Sequence, residues 1–414
     1  MTIRRALALP LLALPLLALT LASASNAADH GSHSANGAGA RQCPEAGITA
    51  ATQALEDPAT ASAMEVGCAL AAWQLAAKED MRYVDFRVPE SSYGRGWIKA
   101  AFYIGLERYA ARLGDDGLMT RVRQYAMENG YELGDRTWHG DDQAVVAVYA
   151  ALALQDENPG TLRKSTRVFD EIIAQNYTNS LEFIEPADGH TEGTCQRRWC
   201  WADAIFMAPP SWALASKVTG DPRYADYAAR ETRAVIEYLQ DPESGLLFRD
   251  SRYFDQRTAN DRKVFWSRGN GWVFAGLARF IEALPADHPE RPLFVQTFRT
   301  LADQLVTLQR PDGYWPTSLM DAELVTNPET SGTGFFGFGF AWGLNNGVLE
   351  GDKYTAARDK AWDAMRRAVT PDGKLGWVQQ IGKDPQKTDS ESSQLYGVGG
   401  MLLFSSEMLE NPAR

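Results

Sequence analysis

TGFFGFGFAWGLNNGV (residues 333–348) is followed, across the turn Gly351-Asp352, by YTAARDKAWDAMRRA (residues 354–368). The contrast between these neighbours decides the fold class. The first segment carries Phe, Trp and small residues all round a helix, which only complete burial accommodates. The second carries Asp, Arg and Lys on one face and apolar residues on the other, the signature of a helix with one side in water. The same contrast recurs upstream. DDQAVVAVYAALA (141–153) is apolar nearly throughout, whereas PRYADYAARETRAVIEYL (222–239) is one-sided.

Working outward, helical periodicity predicts twelve helices, over 60–79, 95–112, 117–129, 141–155, 160–176, 203–218, 222–239, 270–284, 291–309, 333–348, 354–368 and 393–410. Convincing strands are scarce. Turn punctuation repeats as well: Gly114-Asp115, Gly220-Asp221 and Gly351-Asp352 each end one helix and open another, and Pro311-Asp312-Gly313 and Pro371-Asp372-Gly373 mark a second turn type. Buried and exposed helices in alternation call for two concentric helical layers. Twelve helices in six hairpins give an all-α (α/α)6 barrel, a six-hairpin toroid. The competing architectures are an irregular helical domain and an α-solenoid; a solenoid would show a tighter period and no inner layer so rich in aromatics.

The chain has 414 residues. Arg4 and Arg5 precede an apolar run from Ala6 to Leu21, with small residues after it, so residues 1–28 read as a signal peptide. Residues 29–45 read as a flexible Gly/Ser/Ala-rich leader and 46–414 as a single catalytic domain. The expected location is periplasmic or secreted, with no membrane association after cleavage. Without Arg4 and Arg5 there are 39 basic against 53 acidic residues, a net charge of −14. That balance does not suit nucleic acid, and it gives an anionic ligand no long-range steering, so local arginines must do any such binding. Four cysteines in an exported chain imply two disulfides with three possible connectivities. Cys43/Cys68 with Cys195/Cys200 closes local loops and is preferred over the alternatives, free buried thiols included. No metal site is expected, because the cysteines form no paired CxxC motif and the five His are scattered.

Three clusters carry candidate chemistry. Trp138-His139-Gly140-Asp141-Asp142-Gln143 opens a buried helix. One Asp there is explained by capping and by the helix dipole; two, flanked by Trp and His, exceed what a cap needs. Cys195-Gln196-Arg197-Arg198-Trp199-Cys200-Trp201-Ala202-Asp203 sets a carboxyl in an apolar run, where burial favours its neutral form and a nearby Arg opposes that. Phe248-Arg249-Asp250 and Phe265-Trp266-Ser267-Arg268-Gly269-Asn270-Gly271-Trp272 offer aromatic faces for sugar rings and guanidinium forks for carboxylates, unless they are simply an aromatic core turn. Glu329, Ser331, Trp377 and Tyr396 rank below these. No nucleophile elbow, P-loop, dinucleotide fingerprint or His-Glu-x-x-His motif is present.

With these residues the chain resembles the unsaturated rhamnogalacturonyl hydrolases of glycoside hydrolase family 105, sister to the unsaturated glucuronyl hydrolases of family 88. The runs GDDQAVVAVY, WADAIFMAPP, FWSRGNGWV, ETSGTGFF, AWGLNNG and LYGVGG carry the resemblance from Tyr93 to Met408. It implies an (α/α)6 barrel, no cofactor, and an oligosaccharide substrate with a 4,5-unsaturated uronyl terminus. It further implies protonation of ring carbon 4 and attack of water at carbon 5. The acid/base Asp of the family matches Asp203. The second essential Asp falls in the Asp141-Asp142 pair, with Asp142 preferred. Trp266, Arg268 and Trp272 match the substrate-binding Trp and Arg; Asn270, Arg249, Trp201, His139 and Trp138 are further candidates. One departure is that family members carry a His after a Gly-Leu-Trp-like turn, where this chain reads Gly245-Leu246-Leu247-Phe248-Arg249-Asp250. The alternatives are an ordinary glycosidase or a polysaccharide lyase on the same barrel, and a binding module that would need the Trp and Arg but not the Asp residues. The sequence leaves open the sugar next to the unsaturated ring, its galacturonyl or glucuronyl origin, and the oligomeric state.

Overall fold

A computed structural model describes residues 42–43, 55–77, 94–184 and 195–409. The expected signal peptide and most of the expected leader lie outside the described residues. Among the described residues there are fourteen α-helices: α1 (Ala63–Ala76), α2 (Trp97–Leu113), α3 (Asp116–Glu128), α4 (Gly140–Gln143), α5 (Val146–Gln155), α6 (Arg163–Gln175), α7 (Ala204–Met207), α8 (Pro209–Thr219), α9 (Pro222–Leu239), α10 (Ser267–Ala283), α11 (Arg291–Leu308), α12 (Thr330–Asn345), α13 (Asp352–Arg367) and α14 (Leu395–Met408). Among the described residues the only strand-like pairings are four isolated bridges.

All twelve expected helices are found, two of them broken. The helix expected over 141–155 splits into α4 and α5, and that over 203–218 into α7 and α8. The second break falls at Pro209 and Pro210, whose rings cannot continue a hydrogen-bonded helix. Each break leaves a short helix at one end: α4 carries Asp141 and Asp142, and Asp203 immediately precedes α7.

The inner layer is α2, α5, α8, α10, α12 and α14, each packed on the next, with α14 closing back on α2. This is the (α/α)6 barrel. Helix α12 is buried along nearly its whole length, whereas α13 buries one face, Tyr354, Ala357, Ala361, Trp362 and Met365. Closure of the ring depends on small residues. A Cβ on Gly105 of α2 would lie 2.2 Å from the Gly399 carbonyl of α14, and one on Gly399 would lie 2.2 Å from the Ala101 carbonyl. The two backbones touch because neither residue has a side chain.

Because the chain runs inward and outward alternately, the six inner helices are parallel. Their C-terminal ends meet around Arg108, which pairs with Glu282 at 2.7 Å and Glu407 at 2.5 Å. Their N-terminal ends gather at the opposite face, where the positive ends of six helix dipoles favour a negatively charged ligand. The described cysteines form Cys43–Cys68 and Cys195–Cys200, the preferred local pairing.

Candidate active site

Asp203 precedes α7 at this N-terminal face. The Ala202 N–H donates to the Arg249 carbonyl at 2.8 Å, which fastens the Asp203 turn to the Arg249 turn. Arg249 Nε lies 3.6 Å from Asp203 Oδ2, too far for a hydrogen bond. Both of these buried atoms lack a hydrogen-bond partner. Burial therefore pushes the Asp203 carboxyl above its ordinary range, against the pull of Arg249 and Arg268. Arg249 is itself held by Asp250, which accepts from it at 2.5 Å and from Arg252 through Nε and Nη2, both at 2.8 Å.

The Asp141-Asp142 pair divides its labour. Asp142 is wholly buried and is spent on Arg136: it accepts from the Arg136 N–H at 2.8 Å, from Nε at 3.3 Å and from Nη2 at 2.6 Å. Asp141 has no such clamp. Its Oδ2 lies 3.9 Å from Arg136 Nη2 and 3.6 Å from His139 Nδ1, and its side chain is 18 % exposed. Burial raises its carboxyl to about 7, Arg136 opposes this, and the charges of Asp142 and Asp203 add to the rise. Asp141 is therefore the less committed of the two carboxyls, while Asp142, the expected partner of Asp203, is engaged by Arg136.

His139 is buried against Trp201, with ring centroids 4.7 Å apart. Its Nδ1 accepts from the Asp141 N–H at 3.3 Å, which places the ring proton on Nε2. Burial, reinforced by Arg136 and Arg249, keeps it neutral. Trp138 is half-buried beside it.

The tryptophan–arginine run at the start of α10 behaves differently from the sequence expectation. Trp266, Trp272 and Asn270 are at most 2 % exposed and cannot stack on or bond to a sugar as they stand. Trp266 Nε1 donates to Gln379 at 3.0 Å, Asn270 bonds the Leu247 backbone through both ends of its amide, and Trp272 packs on Phe206, Phe335 and Trp97. Arg268 is 1 % exposed, lies between Trp266 and Tyr396, and donates to the Gln379 and Gln380 carbonyls and to Ser331. This cluster is the floor of the site. Its composition looked like a binding motif because buried aromatic packing and sugar stacking draw on the same residues.

Sequence reasoning passed over two residues here. Trp97, at the first turn of α2, is half-buried and stacks on Tyr396 with centroids 5.2 Å apart. The run Gly94-Arg95-Gly96-Trp97 echoes Arg268-Gly269-Asn270-Gly271-Trp272 and was the available signal. Arg136 gave no signal, since only the fold brings it onto Asp142. Glu329 caps α12, accepting from the Ser331 and Gly332 N–H groups at 2.8 and 2.7 Å, a structural role.

Comparison with known proteins identifies the family. The profile described as Glycosyl Hydrolase Family 88 matches residues 69–411. An unsaturated 3S-rhamnoglycuronyl hydrolase of Alteromonas sp. is 44 % identical over 354 residues, covering 84 % of this chain and 86 % of that protein. A second protein of that name, from Formosa agariphila, is 35 % identical over 322 residues, 76 % of this chain and 84 % of that one. Among solved structures, a family 88 glycosyl hydrolase from Bacteroides vulgatus superposes with a TM-score of 0.70 at 28 % identity, covering 83 % of this chain and 97 % of that one. The six-hairpin barrel, a family profile that matches most of the chain and relatives matched over most of their length lead to one assignment: this chain is a glycoside hydrolase belonging to glycosyl hydrolase family 88.

Proposed function

We propose that the enzyme releases a 4,5-unsaturated uronic acid from the non-reducing end of lyase-generated oligosaccharides, with Asp203 as general acid and base and Asp141 as its partner carboxylate. The observation that carries this reading is the pairing of two carboxyls, both raised by burial, with the partly exposed Arg249 beside one of them. Two like charges in one dry site share a proton rather than both ionising.

In the proposed sequence Asp203 gives its proton to ring carbon 4 of the unsaturated uronyl group. Positive charge develops at carbon 5 and on the ring oxygen, and the carboxylate of Asp141 stabilises it. Asp203, now ionised, takes a proton from water as that water adds to carbon 5. The resulting hemiketal opens and the neighbouring sugar leaves. Arg249 holds the uronate carboxylate, and Trp97 offers the ring face. The activity of the two relatives, unsaturated 3S-rhamnoglycuronyl hydrolases by name, supports the substrate class. The apolar leader and the two disulfides support export.

The test is consumption of the conjugated double bond, followed by ultraviolet absorbance, with lyase-generated oligosaccharides and their saturated counterparts. Loss of absorbance with release of the next sugar is expected. Hydrolysis of the saturated compounds at a similar rate would point to an ordinary glycosidase.

A further inference from the structure

The barrel has a cavity away from the active-site carboxylates. It lies among α2, α5, α8, α10 and α14, and Arg108 and Glu282, where the inner helices end, form part of its wall. Its volume is about 290 Å³, at the lower end of the range for small-molecule sites and suited to one sugar ring rather than a chain.

The charges on this wall do not close. Arg108 is held by Glu282 and Glu407. Arg279 is 7 % exposed, and no carboxylate among the described residues pairs with it. Its Nη1 donates to the Phe206 carbonyl at 2.9 Å, and its guanidinium lies over the Phe206 ring, 4.5 Å from the centroid. Nε and Nη2 have no acceptor among the described residues. Burial and the charge of Arg108 work against the charge of Arg279, and Glu282 and Glu107 help it only from a distance. An arginine does not escape by losing its proton. Lys217 adds an exposed cation at the rim. Glu107 is the acid left to balance the two, and burial raises it to about 7 against the pull of Arg108 and Arg279. At neutral pH it is only partly ionised, so the wall carries unanswered positive charge.

The remaining wall narrows the ligand further. Glu107 accepts from Gln155 at 3.0 Å, and both can also bond hydroxyl groups. Ala151, Leu154, Leu214 and Leu403 supply apolar surface. An inorganic anion would leave that surface bare, and an acid without hydroxyls would leave Glu107 dry and unpaired. A sugar acid answers all three parts of the wall, with a carboxylate, hydroxyls and an apolar ring face.

We propose that this cavity is a second, non-catalytic site for a monosaccharide acid, with its carboxylate on Arg279 and Lys217 and its hydroxyls on Glu107 and Gln155, and that occupancy lowers kcat. The link to catalysis is Arg279 itself. The Phe206 carbonyl that it holds belongs to α7, and Asp203 is the residue before α7. A carboxylate on Arg279 competes with that carbonyl for the guanidinium, which loosens α7 without blocking the active site. The site goes beyond the functional reading above and depends on it only for the assay of kcat.

The test is isothermal titration calorimetry with glucuronate and galacturonate, and with glucose and inorganic sulfate as controls. A uronate is expected to bind at least about tenfold more tightly than glucose or sulfate, on the scale of a charge-assisted contact. Ala151→Phe fills the cavity and touches nothing at the active site, so it should abolish binding and leave basal kcat unchanged. Lys217→Gln should weaken binding about tenfold, and Arg279→Gln at least as much; Ala151→Phe and Lys217→Gln carry the test if the Arg279 variant folds poorly. In the absorbance assay the bound uronate should lower kcat at unchanged KM in wild type and have no effect on Ala151→Phe. Equal binding to wild type and Ala151→Phe, or inhibition competitive with substrate, would put the uronate in the active site and overturn the proposal. Glucose or sulfate binding as tightly as the uronate, or no binding of either uronate, would overturn it too, and binding with unchanged kcat would overturn the link to α7. Calorimetry needs no substrate, so its failure leaves the unsaturated-uronyl reading intact, and failure of that reading leaves the binding result standing.

Discussion

Asparagine in place of Asp141 and in place of Asp142 should move stability in opposite directions. Asp142 presents two oxygens to three donors of Arg136. The amide has one oxygen, so its NH₂ is turned onto a donor and Arg136 keeps only the more distant Asp141, 3.9 Å away, as a counterion. Breaking a buried pair costs about 3–5 kcal/mol. The Arg136 side chain is 29 % exposed, so the lower end, about 3 kcal/mol, applies. The catalytic domain of about 370 residues unfolds with roughly 0.8 kcal/mol/K of entropy, which makes the loss about 4 °C in Tm. Asp141 has the reverse sign. Its carboxyl titrates at about 7 in the fold against an ordinary 3.8. The folded state therefore holds the proton more tightly than the unfolded chain, and the contribution to stability falls as pH rises from about 4 to about 7. Above that window the cost is at most about 4 kcal/mol, at about 1.4 kcal/mol per tenfold in proton affinity, and Asp141→Asn removes it. Thermal unfolding at pH 4 and pH 8, paired with the absorbance assay, reads both effects. Asp141→Asn should be as stable as wild type at pH 4, more stable at pH 8 by up to about 5 °C, and at least about 100-fold slower. Asp142→Asn should be less stable at both pH values yet retain most of its kcat. A stable but inactive Asp142→Asn beside an active Asp141→Asn would refute this division of roles.

Three further predictions follow from the same geometry. Because the acid must begin protonated and burial raises Asp203 above the ordinary carboxyl range, kcat/KM should fall on the alkaline side, about tenfold per pH unit once that proton is lost; a profile flat to pH 9 would argue against a carboxyl acid. Arg268→Lys, which forfeits bonds to Gln379, Gln380 and Ser331, should lower Tm as well as activity, by about 2 kcal/mol or more on the scale of charged hydrogen bonds, whereas a lesion confined to KM would place Arg268 at the substrate. Gly276→Ala sets a Cβ 2.5 Å from the Ile205 carbonyl, so it should push α7 and Asp203 out of register and lower kcat by about 100-fold, as read by steady-state rates beside an unchanged far-ultraviolet spectrum.

The fold was legible because burial writes itself onto helices: Phe335, Phe336, Phe338 and Phe340 leave α12 no solvent face, and Arg358, Asp359 and Lys360 leave α13 an obvious one. The breaks before α5 and α8 were harder to see. Pro209 announces the second, but nothing in Ala144-Val145-Val146 announces the first. At the site, Asp203 could be singled out from its apolar flank. Choosing between Asp141 and Asp142 could not be done, since the choice depends on Arg136, six residues away and folded back onto one of them. Trp266, Asn270 and Trp272 were misjudged for a physical reason. An aromatic cluster that supports a sugar site and one that contacts the sugar have the same composition, and only exposure separates them.

The claim at the centre of this account is that water attacks carbon 5 of the unsaturated ring rather than the anomeric carbon, with Asp203 moving the proton. The most direct measurement is single-turnover hydrolysis in oxygen-18 water, with mass spectrometry of both products. The account predicts label on carbon 5 of the keto-acid product and none on the reducing end of the released sugar. Label on the anomeric carbon of the released uronyl product would contradict it and would return Asp203 and Asp141 to the roles of an ordinary glycosidase pair.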